Sequence, residues 1–510
     1  MLIKLIMLLI FFAVMIGVGL ATRKSASSVN DFVLGGRSVG PWLTAFAYGT
    51  SYFSAVVFVG YAGQFGWKYG ISATWIGIGN AVIGSLLAWV ILGRRTRIMT
   101  HHLKAATMPD FFGKRFESNA LRIAASAIVF IFLIPYTASL YNGLSRLFGM
   151  SFDIPYTACV ILMAVLTGVY VILGGYMATA INVFIQGIIM LGGIVAVVAA
   201  VLNGQGGFME AVNKMAQFES DVPVTLGQPG AFTSFFGPDP LNLLGVVILT
   251  SLGTWGLPQM VHKFYAIKNE KAVKTGTIIS TFFAIIISGG CYFLGGFGRL
   301  FDTPAIYSES GAVIYDAIVP SMLSTLPDVL IGVVVILVLS ASMSTLSSLV
   351  LTSSSTLTLD FIKGNLAKDL DEKKQLFIMR VLIVFFIALS VILALDPPTF
   401  IAQLMGISWG ALAGAFLAPF LYGLFWKGTT KLAVWASFIA GVGIIVSNMF
   451  FKFIASPINA GAAAMIAGLI VVPVVSILTP KMEKKKIDEI FSCYDEEVSV
   501  KRKIALPEKE

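Results

Sequence analysis

The chain has 510 residues, 57% of them hydrophobic and only 12% charged, with a mean hydropathy of +0.88. A soluble fold of this size would need a more charged surface, so the composition excludes a soluble enzyme or a nucleic-acid module and points to an integral membrane protein. The net charge of +9 matters through its placement, and Cys159, Cys291 and Cys493 stand too far apart for a disulfide framework or a metal motif.

Thirteen apolar segments follow one another, centred near Leu9, Ser54, Gly84, Leu133, Met163, Leu191, Leu249, Ile286, Leu339, Ile387, Ala411, Ile445 and Leu469. A spanning helix takes about 20 apolar residues, and runs this long and numerous do not suit a barrel, so the expected class is all-α with about 13 transmembrane helices. The first segment ends in Ala-Thr-Arg-Lys with no small-residue cleavage site, which reads as a retained helix rather than a signal peptide. With the N-terminus outside, 29 lysines and arginines fall on the cytoplasmic side and six outside. That asymmetry is what the positive-inside rule expects of a multi-pass protein of the plasma (inner) membrane with a cytoplasmic C-terminus. Residues 1–480 then form the membrane domain and 481–510 a charged cytoplasmic tail, too short for a signalling output domain. This count places His101, His102, His262 and Lys263 in cytoplasmic loops and leaves no acid, lysine or arginine at mid-membrane. Buried charges usually mark proton relays, so the expected binding chemistry is neutral oxygens, helix ends and aromatics.

The ninth segment carries a crowd of hydroxyls, Ser340, Ser342, Ser344, Thr345, Ser347 and Ser348, followed by four more from Thr352 to Ser355. One or two such groups can bond back to helix carbonyls without consequence; this many at one depth call for a polar cavity, although a small-residue packing face is the plain alternative. Ser344 and Thr345 lie about one turn beyond Ala341, so its carbonyl and their hydroxyls would offer three neutral oxygens to a small hard cation such as Na⁺.

Two other segments look interrupted. The second reads Tyr48-Gly-Thr-Ser-Tyr-Phe-Ser-Ala55, with a poor helix former beside hydroxyls that can satisfy freed carbonyls. The seventh reads Thr250-Ser-Leu-Gly253-Thr-Trp-Gly256-Leu-Pro258, where the proline removes a backbone bond. If the first helix is peripheral, these two open successive five-helix units, and paired breaks in corresponding places point to a transporter site.

These features accompany Asp31-Phe-x-Leu-Gly-Gly-Arg37, Gly63 with Tyr69-Gly70, Met108-Pro-Asp-Phe-Phe112, Gly174-Gly175 with Gln186, Gly256-Leu-Pro258 and Ala341-x-x-Ser-Thr345. In that order and on those helices they resemble the sodium/solute symporter family, which includes proline, pantothenate, sialic acid and sugar carriers, over about residues 5–480. The resemblance implies a LeuT-like 5+5 inverted repeat, with core repeats at about 40–203 and 240–423, one extra N-terminal helix and two extra C-terminal ones. It also implies a sodium site from the carbonyls of Thr50, Phe53 and Ala341 with the hydroxyls of Ser344 and Thr345. Some members hold a second sodium with an acid where this chain has Val183; a valine cannot coordinate sodium, so one sodium per cycle is expected even though Ser347 and Ser348 remain. The same resemblance places solute contacts at Tyr52, Ser54, Tyr136, Thr250 and Thr254, with Trp255 and Gln403 as further candidates. Tyr52, Thr250 and Thr254 depart from the proline carriers, leaving a wider pocket richer in hydroxyls that does not read as a proline carrier.

The expected function is therefore secondary active transport, not catalysis: sodium-coupled uptake of a small organic solute by alternating access. The partners are sodium, the solute and the lipid bilayer, with no nucleic acid and no obligate protein partner evident. A proton-linked or uncoupled carrier on the same fold is the competing reading, and a non-transporting sensor a more distant one.

Overall fold

The computed structural model describes residues 2–22, 28–52, 54–152, 155–367, 369–396 and 400–494. Helices account for the regular structure of these residues; the only β pairing among them consists of isolated bridges such as Val39 with Ile267. Eleven described helices are long and apolar enough to cross a membrane, against the thirteen expected. The difference lies where helices are interrupted. The second half of the segment near Ser54 joins the segment near Gly84 in one helical run, Val56–His102, and the segment near Met163 is the shorter apolar helix Tyr156–Val169.

Helix α1 (Leu2–Thr22) leans on α6 (Tyr156–Gly204) and α10 (Asp328–Thr356), and Lys4 pairs with Asp328 at 2.9 Å. The first core segment begins as α2 (Pro41–Gly49), with proline at its first turn, and tightens through Thr50–Tyr52. It resumes in a wide π turn, Val56–Tyr61, that runs into α3 (Ala62–Tyr69). Helix α4 (Met108–Arg115) starts at Thr107, whose hydroxyl accepts from the Asp110 amide, and leads into α5 (Asn119–Phe152). Helix α6 bends at Gly175, whose φ of 55° and ψ of −142° lie outside the helical region and are open to glycine alone at little cost.

The seventh segment repeats the pattern of the second. Helix α7 (Pro240–Val247) is capped by Asp239, widens over Ile248–Leu252, tightens over Gly253–Trp255 and stops at extended Leu257. Helix α8 (Pro258–Ala266) restarts with the proline in its first turn, where the missing N–H costs nothing. Beyond it come α9 (Glu270–Ala284), α10, α11 (Glu372–Leu395) and α12 (Ile401–Phe425). Helices α13 (Lys431–Phe451) and α14 (Pro457–Leu478) pack on α12 and on each other.

Lipid-facing surfaces carry exposed apolar side chains such as Leu9, Ile131, Ile392 and Ile470. Helix α10 differs: every residue from Val334 to Thr356 is buried, with α1, α5, α6 and α11 around it. Its hydroxyls therefore face protein, not lipid.

The expected tail forms a short helix, α15 (Lys484–Phe491), that buries Ile487, Ile490 and Phe491. It is held by ion pairs of Lys486 with Glu117 at 3.0 Å and Lys427 with Asp488 at 2.6 Å.

Candidate functional site

Ser342 is the hinge of the arrangement. Its Oγ accepts a 2.9 Å hydrogen bond from the Ala55 amide, just past the break in the first core segment. A broken helix leaves amides and carbonyls without intrahelical partners; here α10 supplies one. The Thr50–Tyr52 turn packs on α10 as well.

On α10, the Ala341 carbonyl accepts from Ser344 Oγ at 2.7 Å and from Thr345 Oγ1 at 3.1 Å. The three oxygens foreseen from spacing thus meet at one point, each hydroxyl spending its proton on the carbonyl and keeping lone pairs. Thr50 Oγ1 is buried with no hydrogen-bond partner. The converging oxygens of Ala341, Ser344 and Thr345 are all neutral, a donor set that fits a small hard cation. Phe53 lies outside the described residues, and so does the side chain of Tyr52.

The expected solute residues divide. Ser54 and Tyr136 meet through their hydroxyls, and the Tyr136 ring stands edge-on to Trp409 at 5.9 Å. Thr250 donates to its own helix at Val246 O, 2.9 Å away. Thr254 donates to Ser251 O at 2.8 Å and lies 3.3 Å from Gly84 O, while Trp255 Nε1 donates to Ile83 O at 3.0 Å. The donors of these three side chains are committed to backbone. Gln403 lines a cavity of about 620 Å³ with Lys68, Asp239, Asn242, Arg299 and Tyr315, a lining that does not include Ser54, Tyr136, Thr250, Thr254 or Trp255. Trp409 was not among the expected solute residues. It packs on Tyr136 and near Gly253, so it joins the two groups of expected contacts; the Gly406-to-Gly410 stretch around it was the available signal.

Two placements need correction. His262 and Lys263 are not loop residues; they sit in α8, which Pro258 restarts, 6% and 3% exposed. Lys263 lies three residues before the end of the apolar span Pro240–Ala266, and its Nζ donates to Ser348 Oγ at 2.9 Å instead of reaching water. Ser348 is accordingly engaged, not idle. Val183 is buried, and neighbouring Asn182 turns to α1, donating to Met15 O at 3.3 Å.

Below the site, the loop before α2 is pinned. Gly35, Gly36 and Arg37 all adopt positive φ, which turns the Arg37 guanidinium onto the carbonyls of Tyr265 and Ala105. Burial draws the Arg37 pKa below its ordinary value, partly offset by Tyr265. Thr107 Oγ1 donates to the buried Asp360 carboxylate at 2.5 Å, joining the start of α4 to the end of the ninth segment.

Comparison with known proteins agrees with this geometry. The sodium:solute symporter family profile matches residues 32–441. The chain belongs to that family. It is 29% identical over 502 residues to a sodium/proline symporter of Staphylococcus aureus, covering 94% of this chain and 93% of that one. The corresponding protein of strain JH9 is 30% identical over 503 residues with the same coverage. Among solved structures, a Na⁺-coupled sialic acid symporter in a substrate-bound outward-open state superposes with a TM-score of 0.77 at 17% identity, covering 94% of this chain and 98% of that one. A nucleobase-cation-symport-1 family transporter in a closed conformation gives 0.52 at 12% identity, covering 90% and 97%. The fold is LeuT-like, and this symporter is a multi-pass membrane transporter that couples solute movement to Na⁺, not an enzyme.

Proposed function

We propose that this symporter takes up a small organic solute with one sodium ion per cycle, the ion resting on Ala341 O, Ser344 Oγ and Thr345 Oγ1 with the carbonyls of Thr50 and Phe53. The observation that carries this reading is the convergence of two hydroxyls on the Ala341 carbonyl, one residue from the Ser342–Ala55 bond that ties the broken segment to α10. Sodium at that junction joins the two elements and favours the conformation in which Ser54, Tyr136 and Trp409 face the solute. Solute binding favours the same state, and that shared preference is what coupling requires. The core repeats at about 40–203 and 240–423 lie within a membrane domain of residues 1–480, with the N-terminus outside and 481–510 in the cytoplasm, and rocking of the helix bundle exposes ion and solute to the cytoplasm.

The relatives are named for proline, so proline is the reference solute. Thr250 and Thr254 are smaller than the aromatic residues expected there in the proline carriers, which favours a somewhat broader zwitterion or monocarboxylate; their hydroxyl protons stay on backbone carbonyls, so they widen the pocket without adding donors. The test is uptake of labelled proline, monocarboxylates, sugars and vitamins into proteoliposomes under an inward sodium gradient, a proton gradient, or neither. Sodium-driven accumulation of one solute class supports the proposal. Accumulation driven by protons alone, or equilibration without either gradient, refutes it.

A further inference from the structure

A buried ammonium is expensive in a membrane protein, and nature usually pairs it with a carboxylate. Among the described residues no carboxylate pairs with Lys263. Its Nζ donates a 2.9 Å hydrogen bond to Ser348 Oγ and stands 5.6 Å from the centroid of the Tyr176 ring. The surroundings are aromatic: the His262 ring lies 5.7 Å from that of Tyr176 and 5.9 Å from that of Tyr265. Ser348 passes the contact on. Its hydroxyl donates to Ser344 O at 3.1 Å, and Ser344 Oγ donates to Ala341 O. The ammonium therefore stands about one helical turn along α10 from the oxygens assigned to sodium, its Ser348 partner bonded to the carbonyl of the residue whose hydroxyl reaches Ala341 O.

We propose that the Lys263 ammonium is a resident cation that occupies the Ser348 side of α10, keeps a second free cation away from it, and weakens sodium binding at Ala341, Ser344 and Thr345 by repulsion. This rests on the sodium assignment proposed above. The physical consequence is release: an ion held by neutral oxygens beside a fixed positive charge leaves readily when the site opens to the cytoplasm. A turn of helix plus a hydrogen bond puts the charges about 8 Å apart. At an effective dielectric of about 20, their repulsion corresponds to roughly thirtyfold in sodium affinity.

The test is equilibrium binding of radioactive sodium to the full-length protein in nanodiscs, comparing wild type with Lys263→Met, Lys263→Gln, Lys263→Arg and Ser344→Ala. Removing the charge should tighten sodium binding by roughly ten- to thirtyfold in the Met and Gln variants, with slower sodium-driven turnover, while Arg stays near wild type. Gln retains a donor for Ser348, so it answers the question even where Met impairs folding. A merely structural lysine predicts the opposite sign, since losing it can only loosen the site. Unchanged or weaker sodium binding in Lys263→Gln, with Ser344→Ala weakened, overturns the role of Lys263 alone. Sodium binding indifferent to Ser344→Ala overturns the sodium assignment and this inference with it.

Discussion

Thr345→Val is the sharpest perturbation of the proposed ion site. Valine keeps the branched shape of threonine at a position 1% exposed, so packing is preserved and one oxygen is lost. The Ala341 carbonyl still accepts from Ser344 at 2.7 Å, so no buried acceptor is orphaned. Stability without sodium should therefore change little, by less than about 1 kcal/mol. The bound ion fares differently. A contact to a charged group contributes about 1.5–3 kcal/mol, or roughly ten- to a hundredfold in sodium affinity. Thermal unfolding in sodium and in potassium reads this directly through linkage. At sodium a hundred times the wild-type Kd, the ion stabilises the wild type by about 2.7 kcal/mol; a variant binding a hundredfold more weakly gains only about 0.4 kcal/mol at that concentration. Thr345→Ser keeps the oxygen and should retain the full sodium shift. If Thr345→Val unfolds with the wild-type sodium shift, the oxygen does not touch the ion and the hydroxyl cluster is a packing face.

Ser342→Ala strips the Ala55 amide of its acceptor and should cost about 1–3 kcal/mol, seen as a lower unfolding midpoint in sodium and potassium alike. Under saturating solute the sodium dependence of uptake should give a Hill coefficient near one, because a valine stands at position 183; a value near two contradicts a single ion. Cys159, Cys291 and Cys493 are buried, so a Lys104→Cys variant offers an impermeant maleimide one exposed thiol. It should label only after the membrane is opened, and ready labelling of intact cells would reverse the proposed orientation.

The helix breaks were legible because their causes are local. Gly253, Gly256 and Pro258 disturb a helix wherever it packs, and Ala341, Ser344 and Thr345 meet through helical periodicity alone. What the chain concealed depends on long-range packing. The Ser342–Ala55 bond joins residues 287 positions apart, and nothing in either segment announces it. Lys263 was counted with the loop lysines because a cation beside a turn ordinarily seeks water; only the packing of α8 against α10, with Nζ on Ser348, shows that it does not. Gln403 was grouped with Ser54 and Tyr136 by resemblance, yet it stands at the start of α12 on the lining of a cavity that includes neither of them.

The self-bonded hydroxyls of α10 bear on how the protein is made. Ser344, Thr345, Ser347, Ser348, Ser354, Ser355 and Thr358 all donate to carbonyls of their own segment. Ser340, Ser353 and Thr356 do not share this, but a helix most of whose hydroxyls are satisfied from within enters lipid at a lower cost before any neighbour arrives. The ligand-bearing element can therefore be inserted during synthesis as an ordinary greasy span. It acquires its function afterwards, when the surrounding helices close over it and the same oxygens, still carrying free lone pairs, come to face the broken segment.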